Sequence, residues 1–345
     1  MTMRGALVQI FGRPENLGIF SKLPIPTINS DQKAYKIAKN QNCDLEHVMH
    51  RFKVKPNIFY YRLPFSVFIV FYISIPHTSS DLSSTQLAPN VGSLVTHVKK
   101  GDRVWFVNSL SGSSAEYCVV QKVFLLPKGI SYYEGACIGV PYMSAYRAMF
   151  LLGKAKKGDT VFVHGASGGV GLAAVQLASW RGITVFGTAG SEEGMKLVKA
   201  NGAVEVFNHR RDGYIDEIKR KCSQGIVLGF DLIVEMAAHI NLGTDLGLLS
   251  RGGKVAVVGN REETTIDARL LMMKESSIFG MALANSSDAD LSEMGEEINS
   301  FLSSSSRRPV FNKKYALEEL PIAHDDIINQ SGALGNLVLV VNNQI

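Results

Sequence analysis

The sequence predicts an α/β fold, a doubly wound parallel sheet inserted into a mainly β domain, and three observations support this prediction. The 345 residues give room for two domains of about 150 residues each. From Thr160 onward, short β-branched runs alternate with segments of helical period, as parallel strands and crossover helices do. Outside that region short strands between turns predominate, and the tail LVLVV is typical of a strand that returns to them.

The second domain, residues 134–283, is therefore expected to interrupt the first, which comprises residues 1–133 and 284–345. Its helices are predicted over VGLAAVQLASWRG, over EEGMKLVKANGA with an end at Gly202, and before the fifth strand with a stop at Gly252 and Gly253. Five or six strands are predicted in this domain: Thr160 to Gly165, Ile183 to Gly190, Val204 to His209, Phe230 to Met236 and Lys254 to Asn260, with Ser276 to Leu283 as the candidate sixth.

Composition narrows the class of protein. Hydrophobic residues make up 46% and charged residues 19%, which excludes intrinsic disorder. The net charge of +5 comes without a block of like charges, so nucleic acid is not the leading partner. The four cysteines form no CxxC pair, which argues against a disulfide framework or a four-cysteine metal lobe. We expect a reducing, cytoplasmic setting.

No membrane span is expected. The most apolar stretch, Leu63 to Ile75, is shorter than the roughly 20 residues of a spanning helix and contains Pro64. Its β-branched and aromatic residues favour a buried strand. The N-terminus lacks the continuous apolar run of a signal peptide, so no secretion is predicted.

A glycine motif is the most specific signal in the chain. Gly165, Gly168 and Gly171 form a G-x-x-G-x-x-G pattern that leaves a predicted strand and opens a predicted helix. We expect Gly165 and Gly168 to allow a tight turn and close approach of a pyrophosphate, and Gly171 to let the helix pack on the strand. The alternative is a glycine-rich turn without a ligand. The agreement of strand, glycines and helix favours dinucleotide binding.

The end of the second strand indicates which dinucleotide binds. An enzyme that prefers NAD places a carboxylate there for the ribose hydroxyls, but residues 187–191 read GTAGS. Ser191, Lys196, and His209 or Arg210 could receive a 2′-phosphate instead, which favours NADPH. The alternative is that Lys196 is a solvated surface charge.

Longer motifs resemble a known family. These are KKGDRVW, SGSSAEYCVV, GACIGVPYMSAYRAMF, HGASGGVGLAAVQLA, GTAGSEEGMKLV, NGAVEVFNHR, LLSRGGKVAVVGNR and KESSIFGMAL, with SGALGNLVLVV near the C-terminus. They resemble the quinone oxidoreductase (zeta-crystallin) branch of the medium-chain dehydrogenase/reductase superfamily. The resemblance implies a GroES-like catalytic domain split around a Rossmann domain, NADPH in the cleft between them, and homo-oligomers, either dimers or tetramers.

The resemblance also implies a set of cofactor contacts. Met281 to Leu283 could alternatively be core strand, and Asn241 a residue that starts a helix. The implied contacts are Ser167, Gly168, Gly169 and Val170 on the pyrophosphate, Gly190 and His209 near the adenosine phosphate, and Asn241, Val258, Gly259, Asn260, Arg261, Met281, Ala282 and Leu283 around the rest of the cofactor.

No metal is expected. Zinc-dependent relatives need a set of cysteine and histidine ligands to polarise a carbonyl, and neither such set is visible. Cys118 and Cys137 lie in apolar stretches typical of buried residues. Catalysis would then depend on holding the nicotinamide against an electron-poor acceptor, a scheme that suits a quinone.

Residues 31–90 depart from the family's motifs in the region that normally forms the substrate side of the cleft. Tyr60 and Tyr61 could replace a missing cleft tyrosine, but packing residues in a strand, or an erroneously translated segment, are the simpler interpretations. The catalytic residues are therefore unknown. The main hypothesis is an NADPH-dependent quinone reductase. The alternatives are an NADPH-binding protein with little turnover, in a structural, sensor or weak RNA-binding role, and a zinc-free enone or alkenal reductase.

Overall fold

The computed structural model describes residues 2–8, 17–24, 70–71, 95–99, 101–107, 113–114, 120, 122–223, 228–329 and 333–340, the first three ranges as strands only. The strands are β1 (Thr2–Val8), β2 (Leu17–Pro24), β3 (Val70–Phe71), β4 (Val104–Phe106), β5 (Val123–Leu125), β6 (Thr160–Val163), β7 (Thr184–Ala189), β8 (Glu205–Asn208), β9 (Phe230–Glu235), β10 (Leu249–Val257), β11 (Ser277–Gly280), β12 (Phe311–Ala316) and β13 (Asn336–Val340).

Nine α-helices lie within the described residues. They are α1 (Tyr132–Ala136), α2 (Gly139–Tyr146), α3 (Gly169–Trp180), α4 (Glu192–Ala200), α5 (Tyr214–Ser223), α6 (Ala238–Leu248), α7 (Ala268–Lys274), α8 (Asp288–Ser304) and α9 (Leu320–Asn329). A single π-helical stretch, Arg147–Leu152, continues α2. Among the described helices, none is long and apolar enough to cross a membrane.

The central sheet has six strands in the order β8-β7-β6-β9-β10-β11, and all of its pairs are parallel. This is the order of a doubly wound dinucleotide-binding sheet. The direction of winding reverses between β6 and β9, so a crevice opens at their carboxyl ends. All six predicted strands are confirmed, most of them shorter by a few residues at their ends.

Both faces of the sheet are buried, as a doubly wound sheet requires. Along β6, Val161 and Val163 belong to the core on the α3 side, whereas Phe162 belongs to a second core on the opposite side. The second core is rich in aromatic rings, with Phe162 and Phe230 centroids 4.7 Å apart. The continuous apolar runs in the sequence are therefore explained by burial from two sides.

A second body of β structure flanks the central sheet. Strand β13, near the C-terminus, pairs in parallel with β12 and with β3, which precedes the whole nucleotide sheet in the chain. This pairing confirms that the tail is a strand returning to the first domain, and that the Rossmann unit is inserted in it. The domain boundaries at 133/134 and 283/284 remain predictions.

The predicted stop of the helix before the fifth strand is wrong. The helix α6 ends at Leu248, and β10 begins at Leu249, so Gly252 and Gly253 lie inside the strand. The register with β9 shifts between Leu249 and Lys254. Gly252 has a φ of +75°, and a Cβ on Gly253 would lie 2.6 Å from the carbonyl oxygen of Phe230. The two glycines therefore allow the shift of register within β10 and do not end a helix.

Candidate cofactor site

The glycine motif forms a turn between β6 and α3 that is fixed by β7. Gly165 has a φ of +56°, a left-handed conformation that glycine adopts readily. Its N–H donates to Thr188 Oγ1 at 3.0 Å, and the N–H of Ala166 donates to the Thr188 carbonyl at 2.8 Å. The residue before the helix is Gly168, and no side chain caps the first turn of α3. The N–H groups of that turn therefore face the crevice without a capping side chain, as an anion site needs.

The glycines have different roles. A Cβ on Gly171 would lie 2.4 Å from the carbonyl oxygen of Gly165, which confirms its role in close packing of the helix on the turn. Gly168, by contrast, is not required by the tight turn itself. Its φ of −79° is open to any residue, and a Cβ there would meet the Gly165 oxygen at an ordinary 3.5 Å. A requirement for glycine at position 168 would therefore have to come from the ligand.

The C-terminal segment covers this turn. Gly335 donates its N–H to the carbonyl of Ser167 at 2.7 Å, and Gly168 and Gly335 form an isolated parallel bridge. Beside them Asn336, which is 2% exposed, donates from Nδ2 to the Val310 carbonyl at 2.9 Å. A Cβ on Gly169 would lie 2.1 Å from Asn336 Oδ1. Glycine at position 169, which lies between Gly168 and Gly171 in the motif, is thus needed for contact with the C-terminal segment. Local sequence patterns do not reveal this contact.

The ends of β7 and β8 form an exposed, basic corner. Gly190 follows β7, and a Cβ on it would lie 2.9 Å from both His209 Nε2 and Arg210 Nε. His209 donates its backbone N–H to the Ala189 carbonyl at 3.2 Å, which fixes it beside the strand end. Partial desolvation by the neighbouring residues lowers the pKa of His209, and positive charges on Arg210 and His164 lower it further. Gly190, His209 and Arg210, each a candidate from the sequence for the phosphate end of the cofactor, thus lie together, and their role in binding stays a prediction.

Other candidates for the phosphate have different surroundings. Ser191 is the N-cap of α4, and its Oγ accepts the N–H of Gly194 at 3.1 Å, so its hydroxyl is already used in capping. Lys196 is exposed on α4. Arg211 pairs with Glu192 at 2.6 Å. Within the described part of the chain, Arg210 is the arginine of this corner that makes no ion pair.

The loops after β9 and β10 are tied to one residue, Glu235. Its backbone carbonyl accepts the N–H groups of Val258 at 2.8 Å and Gly259 at 3.1 Å. Its side-chain Oε1 accepts the N–H of Ala237 and, at 3.2 Å, the Nδ2 of Asn241. Asn241 lies in the first turn of α6, the start-of-helix position that the sequence left open.

The remaining candidates continue along the same edge. Asn260 Nδ2 donates to the Glu262 carbonyl at 2.7 Å, and the Arg261 N–H donates to His239 Nδ1 at 3.4 Å. After β11, Met281 is buried, whereas Ala282 is exposed and Leu283 half-buried. The core-strand alternative for residues 281–283 is therefore wrong: the strand ends at Gly280 and Leu283 begins a 3₁₀ helix, although the Met281 side chain is in the core. Every candidate cofactor residue lies at the carboxyl edge of the sheet, the edge where such folds bind ligands.

A buried polar cluster under this edge is absent from the sequence expectations. His164, Glu235 and Asp245 are at most 3% exposed, and His164 Nε2 lies 2.8 Å from Asp245 Oδ1 and 3.4 Å from Glu235 Oε2. A signal was present, because Glu235 is an acid within the otherwise apolar run FDLIVEM. Desolvation, opposed by His164 and aided by Asp245, raises the pKa of Glu235 to about 7.

Cysteine ligands for a metal are not assembled in the described part. Cys137 is fully buried, and its Sγ donates to the Tyr133 carbonyl at 3.2 Å. Burial raises the pKa of this thiol, which disfavours the thiolate that a metal would need. Its expected role as a buried small residue is confirmed, whereas Cys118, Tyr60 and Tyr61 lie outside the described residues.

Comparisons with known proteins extend over the whole chain. A family model described as zinc-binding dehydrogenase matches residues 169–300. Quinone oxidoreductase from Homo sapiens is 39% identical over 342 residues, covering 98% of each chain. Quinone oxidoreductase from Lama guanicoe is 40% identical over 341 residues, again covering 98% of each. These alignments run through residues 31–90, where the family's motifs were not recognised.

Solved structures share the fold. A mycobacterial protein complexed with NADPH superimposes with a TM-score of 0.75 at 20% identity, covering 99% of this chain and 100% of that one. The quinone oxidoreductase of Thermus thermophilus, described with its NADPH complex, gives a TM-score of 0.57 at 28% identity, covering 65% of this chain and 73% of that one.

Proposed function

The chain belongs to the quinone oxidoreductase family, and from this premise we propose how its residues serve an NADPH-dependent reduction of quinones. The protein is an oxidoreductase that transfers reducing equivalents from NADPH to a quinone. The assignment rests on the carboxyl edge of the sheet, where the uncapped N-terminus of α3 and the basic corner of His209 and Arg210 both lie.

The residues present fit a bound NADPH. The first turn of α3, from Ser167 to Val170, offers backbone N–H groups to the pyrophosphate without competition from a cap side chain. Gly190 lets His209 and Arg210 approach the end of β7 closely, since a Cβ there would lie 2.9 Å from each, and we assign these two side chains to the 2′-phosphate. The loops held by Glu235, including Asn241 and Val258, face the same crevice and are assigned to the rest of the cofactor.

NADPH, when bound, supplies the hydride for the reduction. The contribution of the protein is then to hold the nicotinamide ring against the acceptor and to exclude water, which supplies rate through proximity and orientation. A quinone accepts a hydride without strong acid assistance, whereas an unactivated ketone needs a Lewis acid or a positioned proton donor. We assign the reaction to a zinc-free mechanism because the four cysteines are scattered and Cys137 is buried.

Further properties follow the family. We assign the protein to the cytoplasm, as a homo-oligomer of two or four chains. Weak RNA binding is a minor property at most, because the net charge is only +5. A zinc-free enone or alkenal reductase is the second candidate function, since such acceptors are also electron-poor.

A turnover assay tests the assignment. Purified protein is mixed with NADPH, and loss of the reduced-nicotinamide absorbance is followed after addition of phenanthrenequinone, with an alkenal as the comparison substrate. We expect oxidation of NADPH that depends on the quinone and persists after treatment with a metal chelator. Faster oxidation with the alkenal would favour the second function, and tight NADPH binding without turnover on either acceptor would contradict both.

A further inference from the structure

Three titratable side chains meet in the interior beneath the cofactor edge. His164 directly precedes the glycine turn, Glu235 is the last residue of β9, and Asp245 lies on α6. His164 Nε2 is 2.8 Å from Asp245 Oδ1 and 3.4 Å from Glu235 Oε2. All three side chains are at least nine-tenths buried. Such a cluster is costly to bury unless its charges and hydrogen bonds are satisfied.

Two oxygens of the cluster lack a partner in the described structure. They are Glu235 Oε2 and Asp245 Oδ2. One potential ligand atom from each of the three residues lies within 4.8 Å of the others. Two carboxyl groups this close cannot both ionise without strong repulsion, and a single proton shared between them satisfies both oxygens. The His164 Nε2–H then donates to the remaining oxygen, Asp245 Oδ1.

We propose that His164, Glu235 and Asp245 are positioning residues that share a proton beneath the cofactor site, and that losing this proton weakens NADPH binding. This inference rests on the proposed function for its binding readout. The coupling passes through Glu235, which holds the loop after β9 by its side chain and the loop after β10 by its carbonyl. Repulsion between Glu235 and Asp245 after loss of the proton would displace these loops.

The charges around Glu235 set the pH range. The groups that face it are His164, which directly follows β6, Asp245 from α6 and Tyr214 from α5. Burial lowers the pKa of His164, but Asp245 and Glu235 outweigh burial and leave it raised. Burial, Asp245 and Glu235 raise the pKa of Tyr214, so its hydroxyl stays neutral. With the pKa of Glu235 at about 7, the proton is lost as pH rises through neutrality.

The direction of the effect on NADPH follows from its charge. The phosphates of NADPH are negative, so their binding nearby favours the protonated cluster. By linkage, affinity is highest when Glu235 is already protonated and falls as pH rises through the pKa of the free protein. For one proton, the change is at most about tenfold per pH unit, and we expect a total of roughly three- to tenfold.

The test compares wild type with Glu235→Gln. The glutamine carbonyl can accept from Ala237 and Asn241 as Glu235 Oε1 does, and its NH₂ can donate to Asp245 in place of the shared proton. NADPH dissociation constants are measured from about pH 6 to about pH 8.5, a window that spans the titration. We expect the wild-type dissociation constant to rise roughly three- to tenfold across this window. The E235Q constant should lack this rise, because its side chain does not titrate. Glu235→Ala lacks both the acceptor for Ala237 and Asn241 and the donor to Asp245. This variant should bind NADPH weakly at every pH in the window.

An infrared measurement on the wild-type protein keeps the proposal testable if a variant does not fold. We expect the carbonyl band of a buried protonated carboxylic acid near neutral pH, and its loss at alkaline pH. Absence of this band in wild type would overturn the shared proton. Tight binding of Zn²⁺ or Mn²⁺ to the cluster in a metal titration, with loss of the band, would overturn it as well. Equal pH slopes in wild type and E235Q would overturn the coupling. Failure of wild type to bind NADPH at any pH would instead overturn the proposed function.

Discussion

The two ends of the cofactor edge are built by different physical means. At the β6 end the feature that matters is close packing of the backbone, because a Cβ on Gly171 would lie 2.4 Å from the Gly165 oxygen. At the β7 and β8 end the feature that matters is charge, because His209 and Arg210 lie together against Gly190 and both side chains are exposed. In the proposed site, the first end binds the pyrophosphate that all such cofactors share, and we propose that the second end distinguishes NADPH from NADH.

Because the two ends differ in this way, substitutions at them should have different consequences. A change at the buried end should cost folding stability before it changes cofactor choice, because neighbouring backbone cannot move aside. A change at the exposed end should leave the fold intact and alter affinity for one cofactor. The following variants sharpen or break this contrast, in decreasing order of expected effect.

Gly171→Ala should have the largest effect. Its new Cβ would overlap the Gly165 oxygen and the Ala166 Cα, at 2.4 and 2.6 Å. We expect a loss of about 3 kcal/mol or more in the free energy of unfolding, measured by chemical denaturation. Gly247→Ala on α6 is the matched control, because a Cβ there meets nothing within 4 Å. That variant should be neutral or more stable by up to about 1 kcal/mol. Equal stability of the two variants would contradict the shape argument.

Arg210→Ala should change cofactor choice. Loss of a charge-assisted hydrogen bond to the 2′-phosphate is worth about 1.5–3 kcal/mol, which corresponds to roughly 10- to 100-fold in the NADPH dissociation constant. The constant for NADH should not change, because NADH lacks this phosphate. Arg211→Ala is the control, since Arg211 already pairs with Glu192. Fluorescence titration with both cofactors gives two dissociation constants for each of the three proteins, wild type and the two variants, and an equal loss for NADPH and NADH in Arg210→Ala would refute the assignment.

Gly168→Ala separates a need of the fold from a need of the ligand. Its φ of −79° and the 3.5 Å contact of a new Cβ predict a change of less than about 1 kcal/mol in stability. If the pyrophosphate lies against this residue, NADPH and NADH should both bind about tenfold more weakly. Unchanged binding of both cofactors would place the pyrophosphate elsewhere.

His209→Gln should have the smallest effect, confined to acid pH. The free side chain has a lowered pKa, whereas a bound phosphate would raise it, so NADPH binding should take up a proton. Wild-type affinity for NADPH should therefore strengthen roughly threefold as pH falls below the usual histidine pKa of about 6.5. The glutamine variant should lack this strengthening, and NADH should show none with either protein. A wild-type profile flat in this range would remove His209 from the phosphate site.

The local features of the nucleotide domain were predictable from sequence. Period, β-branched content and glycine spacing gave six strands and the turn at Gly165, because these features depend on residues close together in the chain. The same holds for the corner at Gly190, since His209 and Arg210 follow the next strand along the sheet.

Features made by distant residues were not predictable in this way. The cover of the glycine turn by Gly335 and Asn336 joins segments far apart in sequence, so no periodicity reveals it. The meeting of His164, Glu235 and Asp245 depends on which helix crosses under β6 and β9. The glycine pair at 252–253 was misread because glycine ends helices and also kinks strands, and only pairing with β9 decides between the two.

The most direct measurement is a parallel titration of the wild-type protein with NADPH and NADH at neutral pH and constant ionic strength. We expect saturable binding of both cofactors at one site, with NADPH tighter by at least about tenfold because its 2′-phosphate meets the basic corner. Equal affinity for the two cofactors, or tighter binding of NADH, would contradict the claim that shape at one end and charge at the other together make an NADPH site.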